Sequence, residues 1–303
     1  PSDPCFTVKV TLAHVHHLLH RIHDTDTPLD VILVPQVTHA ITPVRHVVDS
    51  ASCPVVAAAP ALVRAALGDE ITSRGIALLD PVLTFTRLEL LRRQMHEAFG
   101  PLLAITVEES DAAVALGLAA MRAVDETLGR VARKVLDRLE PGRGAVLVLA
   151  RPYHADPGLN HHLGEELQAL GYPVLGIRSV PRDPDYLAGL FREDLRAGRI
   201  TDPFDVRDLA PECANSGAAE RLWAARFAAR HGRLGVVDLS SFKCGQDAPL
   251  YAPVRELLDA ANVPLLTLHD VDESRPTTSL RVRLRTFAHA LLQRGLGPTE
   301  PEL

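Results

Sequence analysis

The chain has 303 residues, a hydrophobic share of 47% and a formal net charge of −6. That length suits about two domains, and the apolar share suits packed cores and excludes disorder. The acidic balance excludes a basic nucleic-acid-binding field, no apolar run reaches membrane-spanning length, and four cysteines are too few for a disulfide scaffold.

With no signal peptide in view, the expected compartment is the reducing cytoplasm. There, scattered cysteines bind metal, act in catalysis or lie buried. The chain starts at Pro1 without Met and its first motif lies at residue 5. A segment of a longer polypeptide is expected.

Val8, Leu12, Val15 and Leu19 recur at helical spacing and predict a first helix. The runs 31–35, 54–58 and 76–80 are short and continuously apolar, as expected of strands buried on both faces of a parallel sheet. A helix is expected over 60–67. Residues 88–99 form another, closed by Gly100-Pro101. Thr106 and Glu109 have the spacing of a capping box. It opens a long helix whose Val114, Leu118, Met121, Val124, Leu128, Val131, Val135 and Leu139 form one apolar stripe, read as core. Pro141-Gly142 ends it.

A second block starts with the strand 145–150, which runs into Arg151-Pro-Tyr-His154. A helix near 159–170 and a strand at 173–177 follow. Residues 181–216, rich in Pro, Asp and Arg, are expected to be irregular. Then come a helix over 218–230, a strand at 234–239, a helix over 251–261, a strand at 264–268 and a closing helix over 279–294. The reading is α/β: two doubly wound parallel-sheet domains joined by a helical connector. Residues 1–140 form the first domain with its connector and 141–303 the second.

Cys5, Cys53 and Cys244 each sit in a loop-like setting beside a helix or strand end. Open α/β sheets bind ligands beyond the carboxyl ends of their strands. Cys244 lies past such an end, whereas Cys53, counted before a strand at 54, falls at the opposite one. Cys5 starts a helix, where the positive dipole end favours a thiolate. The long separations match no zinc-ribbon or ferredoxin spacing. Spacing alone leaves open both a shared site and three unrelated thiols. Cys213 has no supporting motif and reads as a bystander.

Five short stretches, taken in order, resemble acyl-CoA dehydratase activase-like proteins, the large relatives of the 2-hydroxyacyl-CoA dehydratase system. They are Cys5-Phe-Thr-Val-Lys9 with His14, Ser52-Cys-Pro-Val-Val56 with Ala59-Pro60, Ala150-Arg-Pro-Tyr-His-Ala-Asp-Pro-Gly-Leu-Asn-His161, Ser241-Phe-Lys-Cys-Gly-Gln-Asp247, and Leu268-His-Asp-Val-Asp-Glu-Ser274 with Arg281 and Arg285. The resemblance implies an iron–sulfur dehydratase-like region. Cys5, Cys53 and Cys244 would be thiolate ligands of a [4Fe–4S] cluster with one iron open, and an ATP-hydrolysing activase domain or subunit would be the partner. Acyl-CoA is the substrate class so implied, and a homodimer a possible assembly. Thr7, Leu12, Ala13, Ala150 and Lys243 depart from the family pattern. They keep a second class open: a cluster-free scaffold serving as an interaction module.

Arg151, Tyr153 and His154 follow a strand end and define a third class, a metal-free enzyme on a small anionic ligand. Arg151 would pair the anion and His154 would move a proton; the competing reading makes them a structural turn. Lys243 reads either as an offset to cluster charge or as a solvated side chain. His16 and His20 are four apart on the first helix, but a solvated histidine-rich face is the simpler reading. No Walker A, Gly-x-Gly-x-x-Gly or Gly-x-Ser-x-Gly pattern is present. An ATP requirement would therefore fall to a partner.

Overall fold

The computed structural model describes residues 5–24, 26–241, 244–271 and 277–299, apart from the side chains of Phe6, Thr277 and Thr278. Phe242, Lys243 and the stretch from Asp272 to Ser274 lie outside the described residues. The fold is α/β with parallel sheets, as the sequence predicts. It divides into two compact units, Pro1–Ile41 with Asp49–Ala120 and Thr42–Val48 with Met121–Leu303.

The first unit contains helix α1 (Phe6–His17), strands β1 (Val31–Leu33) and β2 (Gln36–His39), and helix α2 (Pro54–Ser73). Strands β3 (Ala77–Leu79) and β4 (Val82–Thr84) and helix α3 (Leu88–Leu103) follow. Helix α4 (Val107–Asp137) begins here and continues into the second unit. β1 pairs with β3 and β2 with β4, both in parallel. Two chain paths therefore run side by side, each broken at a proline, Pro35 and Pro81. Proline has no N–H for the ladder. The flanking Val34 N–H still bonds the Leu79 carbonyl at 2.9 Å, and the Gln36 N–H bonds the Pro81 carbonyl at 2.8 Å. The sequence reading missed β2 and β4.

The strand expected at 54–58 is the start of α2. Cys53 is its extended N-cap and Pro54 occupies the first turn, where a missing N–H costs nothing and a fixed φ helps. Ala57 to Ala59 then favour helix. A short apolar run does not by itself separate strand from buried helix. Val63 and Ile71 of α2 pack with Val15, Leu19, Ile32 and Ile76 to form this unit's core.

α3 runs past Gly100-Pro101 and ends at the left-handed Ala104. The capping box forms as expected. The Glu109 N–H donates to Thr106 Oγ1 at 3.2 Å, and the Thr106 N–H to Glu109 Oε2 at 2.8 Å. The α4 stripe is only partly core. Val114 packs with Leu83 and Leu91, and Leu136 and Leu139 pack in the second unit's core. Met121, Val124, Leu128 and Val131 between them are exposed. Among the described residues no helix is long and apolar enough to cross a membrane.

The second unit contains β5 (Ala145–Leu149), α5 (Leu163–Ala169), β6 (Val174–Gly176), α6 (Pro184–Leu190), α7 (Arg192–Arg196) and α8 (Ser216–His231). They are followed by β7 (Leu234–Ser241), α9 (Tyr251–Ala260), β8 (Leu265–Val271) and α10 (Thr277–Gln293). The stretch expected to be irregular thus holds two short helices. The sheet is parallel, in the order β6-β5-β7-β8. Ala145, Leu147 and Leu149 face a core with α8 and α9, while Val146 and Val148 face one with α5 and α10. Alternation along one strand thus feeds two layers, which makes this unit doubly wound.

Candidate functional site

β5 pairs with β6 on one side and β7 on the other. The chain leaving β5 crosses to the β6 edge, and the chain leaving β7 crosses to the β8 edge. The carboxyl ends of β5 and β7 therefore flank the topological switch point, where open α/β sheets form their ligand crevice. The Arg151–His154 turn follows β5, and the Cys244 turn follows β7.

The two turns are bonded to each other. Arg151 Nε and Nη2 reach Asp247 Oδ1 at 2.8 and 2.6 Å. The Tyr153 hydroxyl lies 3.0 Å from Ser241 Oγ. Asp247 is fully buried. Its second oxygen accepts the Ser240 hydroxyl at 2.8 Å and lies 3.5 Å from Arg221 Nη1. Burial alone would raise the Asp247 carboxyl, but the two guanidinium groups and the Ser240 hydroxyl outweigh it and hold it below its ordinary value. The Asp247 and Ala248 N–H groups donate to the Cys244 carbonyl at 3.2 and 3.1 Å, and the Cys244 N–H donates to Ser241 O at 3.3 Å. The Arg151 charge is thus spent on the chain segment that carries Cys244.

His154 is 4% exposed. Neither ring nitrogen has a hydrogen-bond partner among the described residues. Burial pushes its pKa down to about 4 against the pull of Asp247, with Arg221 and Arg151 adding to the fall. It is neutral at pH 7, with one donor and one acceptor nitrogen. Asn160 holds the turn from below, donating to the His154 carbonyl at 2.8 Å and accepting from the Leu163 N–H at 3.0 Å.

A further layer escaped the sequence reading. The buried Arg221 on α8 also ion-pairs with the buried Asp238 on β7. The other oxygen of Asp238 bonds His269 Nε2 on β8 at 2.7 Å. The Tyr251 ring stacks on His269 with centroids 3.6 Å apart. A signal was present: Asp238 is the one charge inside the apolar run 234–239, and a charge in a doubly buried strand needs a partner.

Cys5, Cys53 and Cys244 are free, partly buried thiols. Cys5 is the N-cap of α1, with its sulfur 3.3 Å from Thr7 Oγ1, and Cys53 is the N-cap of α2. Both belong to the first unit. Cys244, in the second, opens the turn that leads into α9. Burial, reinforced by the Asp247 charge, pushes its thiol up. Cys213 is buried in the second core, as a bystander would be. Among the described residues no group of three or more His, Cys, Asp or Glu side chains is placed to hold a metal ion. Exposed His16 of α1 stacks 4.1 Å from His20, which lies in the π-helical turn Leu18–Ile22 that follows, and His20 pairs with Glu70 at 2.9 Å.

The pattern of one protein family, described as the CoA enzyme activase uncharacterised domain (DUF2229), matches residues 1–180. The match takes in Cys5, Cys53 and Arg151 to His154, while Cys244 lies beyond it. No curated protein and no solved structure matches the chain.

Proposed function

The chain belongs to the CoA enzyme activase uncharacterised domain family, and on that premise we propose that it is the electron-accepting component of an ATP-dependent activase system. In this reading Cys5, Cys53 and Cys244 are the thiolate ligands of a [4Fe–4S] cluster. An ATP-hydrolysing domain or subunit is the partner, and acyl-CoA is the substrate class.

One observation carries the reading: Cys5 and Cys53, two of the three motif cysteines, are free thiols seated as helix N-caps. The donor chemistry suits such a cluster, although no assembled centre is among the described residues. Bound, the cluster would supply one-electron transfer, with an iron left open by the missing fourth thiolate. The chain's own residues would hold the thiolates in place, and Arg151, Tyr153 and His154 would shape and dry the crevice beside Cys244.

Anaerobic reconstitution with ferrous iron and sulfide tests this. About four iron and four acid-labile sulfide per chain are expected, with a clear loss in Cys5→Ser, Cys53→Ser and Cys244→Ser. A colourless, iron-free protein refutes it.

A second reading, in which the site works without metal on a small anionic ligand through Arg151 and His154, is supported by buried His154, whose two ring nitrogens have no hydrogen-bond partner among the described residues; Arg151 would then share its charge between Asp247 and the ligand. An iron-free protein whose unfolding temperature rises with a small carboxylate or inorganic phosphate would support that reading.

A further inference from the structure

The Arg151-Pro-Tyr and Ser-Phe-Lys-Cys-Gly-Gln-Asp motifs lie about ninety residues apart in sequence yet are joined by two direct side-chain contacts, Arg151 to Asp247 and Tyr153 to Ser241. Those contacts grip the Cys244 turn at both of its ends. Ser241 is the last residue of β7, and its carbonyl receives the Cys244 N–H. Asp247 closes the turn by donating its own N–H back to the Cys244 carbonyl. Between these two points the chain carries the thiol.

We propose that Arg151 and Tyr153 are positioning residues, which clamp the Cys244 turn to the end of β5 and so hold the thiol at the switch point between β5 and β7. The inference rests on Cys244 being a working residue of the crevice, but the clamp itself is a property of the protein without metal. Asp247 is the hub. Arg151, Arg221 and Ser240 hold its carboxylate from three elements, and it has no freedom to follow a moving turn. Gly217, in the first turn of α8, leaves room for the guanidinium. A Cβ there would collide with Arg151 Nη1, whose neighbour Asn215 caps the same helix.

The test uses the full chain, metal-free and reduced, with amide hydrogen exchange as the readout. In Arg151→Gln the Asp247 and Ala248 amides should exchange about tenfold or more faster, the scale of one lost charge-assisted hydrogen bond. Arg151→Lys should restore part of the protection. Tyr153→Phe removes one hydroxyl and should speed the same amides by about threefold. Gly217→Ala should act like a weak Arg151→Gln without changing any charge.

The β5 amides should keep their wild-type rates throughout, because a general loss of stability would move them too. Should Arg151→Gln fold poorly, Tyr153→Phe and Gly217→Ala carry the test. Wild-type exchange at Asp247 and Ala248 in these variants would overturn the proposal, as would an increase spread equally over β5 and β7. Iron content, measured separately on reconstituted protein, judges the cluster reading, so the two can fail independently.

Discussion

Acid should destabilise the second unit above the pH at which its carboxylates titrate, because the buried His154 and the half-buried His231 are held there in the neutral form. Burial pushes both His154 and His231 from an ordinary 6.5 to about 4. His154 faces Asp247, Arg221 and Arg151; His231 faces Arg233 and Asp137. Above pH 6.5 both are neutral in the folded and the unfolded chain, and the shift has no effect. As pH falls below 6.5 the unfolded chain takes up protons that the folded chain refuses, so stability falls until about pH 4.

At pH 5 each fully shifted histidine costs about 2 kcal/mol relative to pH 7.5, so the pair removes up to about 4 kcal/mol. That is a large part of a typical domain's stability. Trp223, the chain's one tryptophan, lies wholly buried in this unit and reports its unfolding. Urea titrations at pH 7.5 and 5.0, followed by its fluorescence, should show the drop in wild type and about half of it in His154→Gln. Equal stability at the two pH values, or an undiminished drop in a His154→Gln, His231→Gln double variant, would refute the reasoning.

Three further substitutions have defined outcomes. Arg221→Met strands Asp238 and Asp247, both buried, and should cost about 3 kcal/mol; Arg151, Ser240 and His269 keep it at the low end of the range for a broken buried pair. Trp223 fluorescence against urea checks it. Gly235→Ala on the central strand β7 pushes a methyl into Leu291 and Phe287 of α10 and should cost about 1–3 kcal/mol, read as a lower urea midpoint at unchanged slope. Thr106→Ala removes the cap on α4 and should cost about 1 kcal/mol in the first unit, read by circular dichroism of thermal unfolding.

The second unit was legible because its central strands are buried on both faces and therefore read as apolar runs, unbroken at 145–149 and interrupted only by Asp238 at 234–239. The first unit was less so. Pro35 and Pro81 cut its two strand paths into pieces of three or four residues, too short for a period to show. The run after Cys53 was equally ambiguous, and its helical start depends on Pro54 and the alanines behind it.

Within the site, the cysteines and the Arg151 turn stood out because loops advertise unusual residues. The partners that hold them did not. Asp247 looked like a motif position without a role, and Arg221, Asp238 and His269 come from three separate elements whose meeting is decided by strand order. Local pattern carries no information about that order. The α4 stripe misled for a related reason: periodicity shows that a helix has an apolar face, not what covers it.

The central claim is most directly tested by growing crystals from anaerobically reconstituted protein and collecting anomalous scattering at the iron absorption edge. The account predicts iron density bonded to the sulfur atoms of Cys5, Cys53 and Cys244. Absence of iron there, or iron held by other side chains, would contradict it.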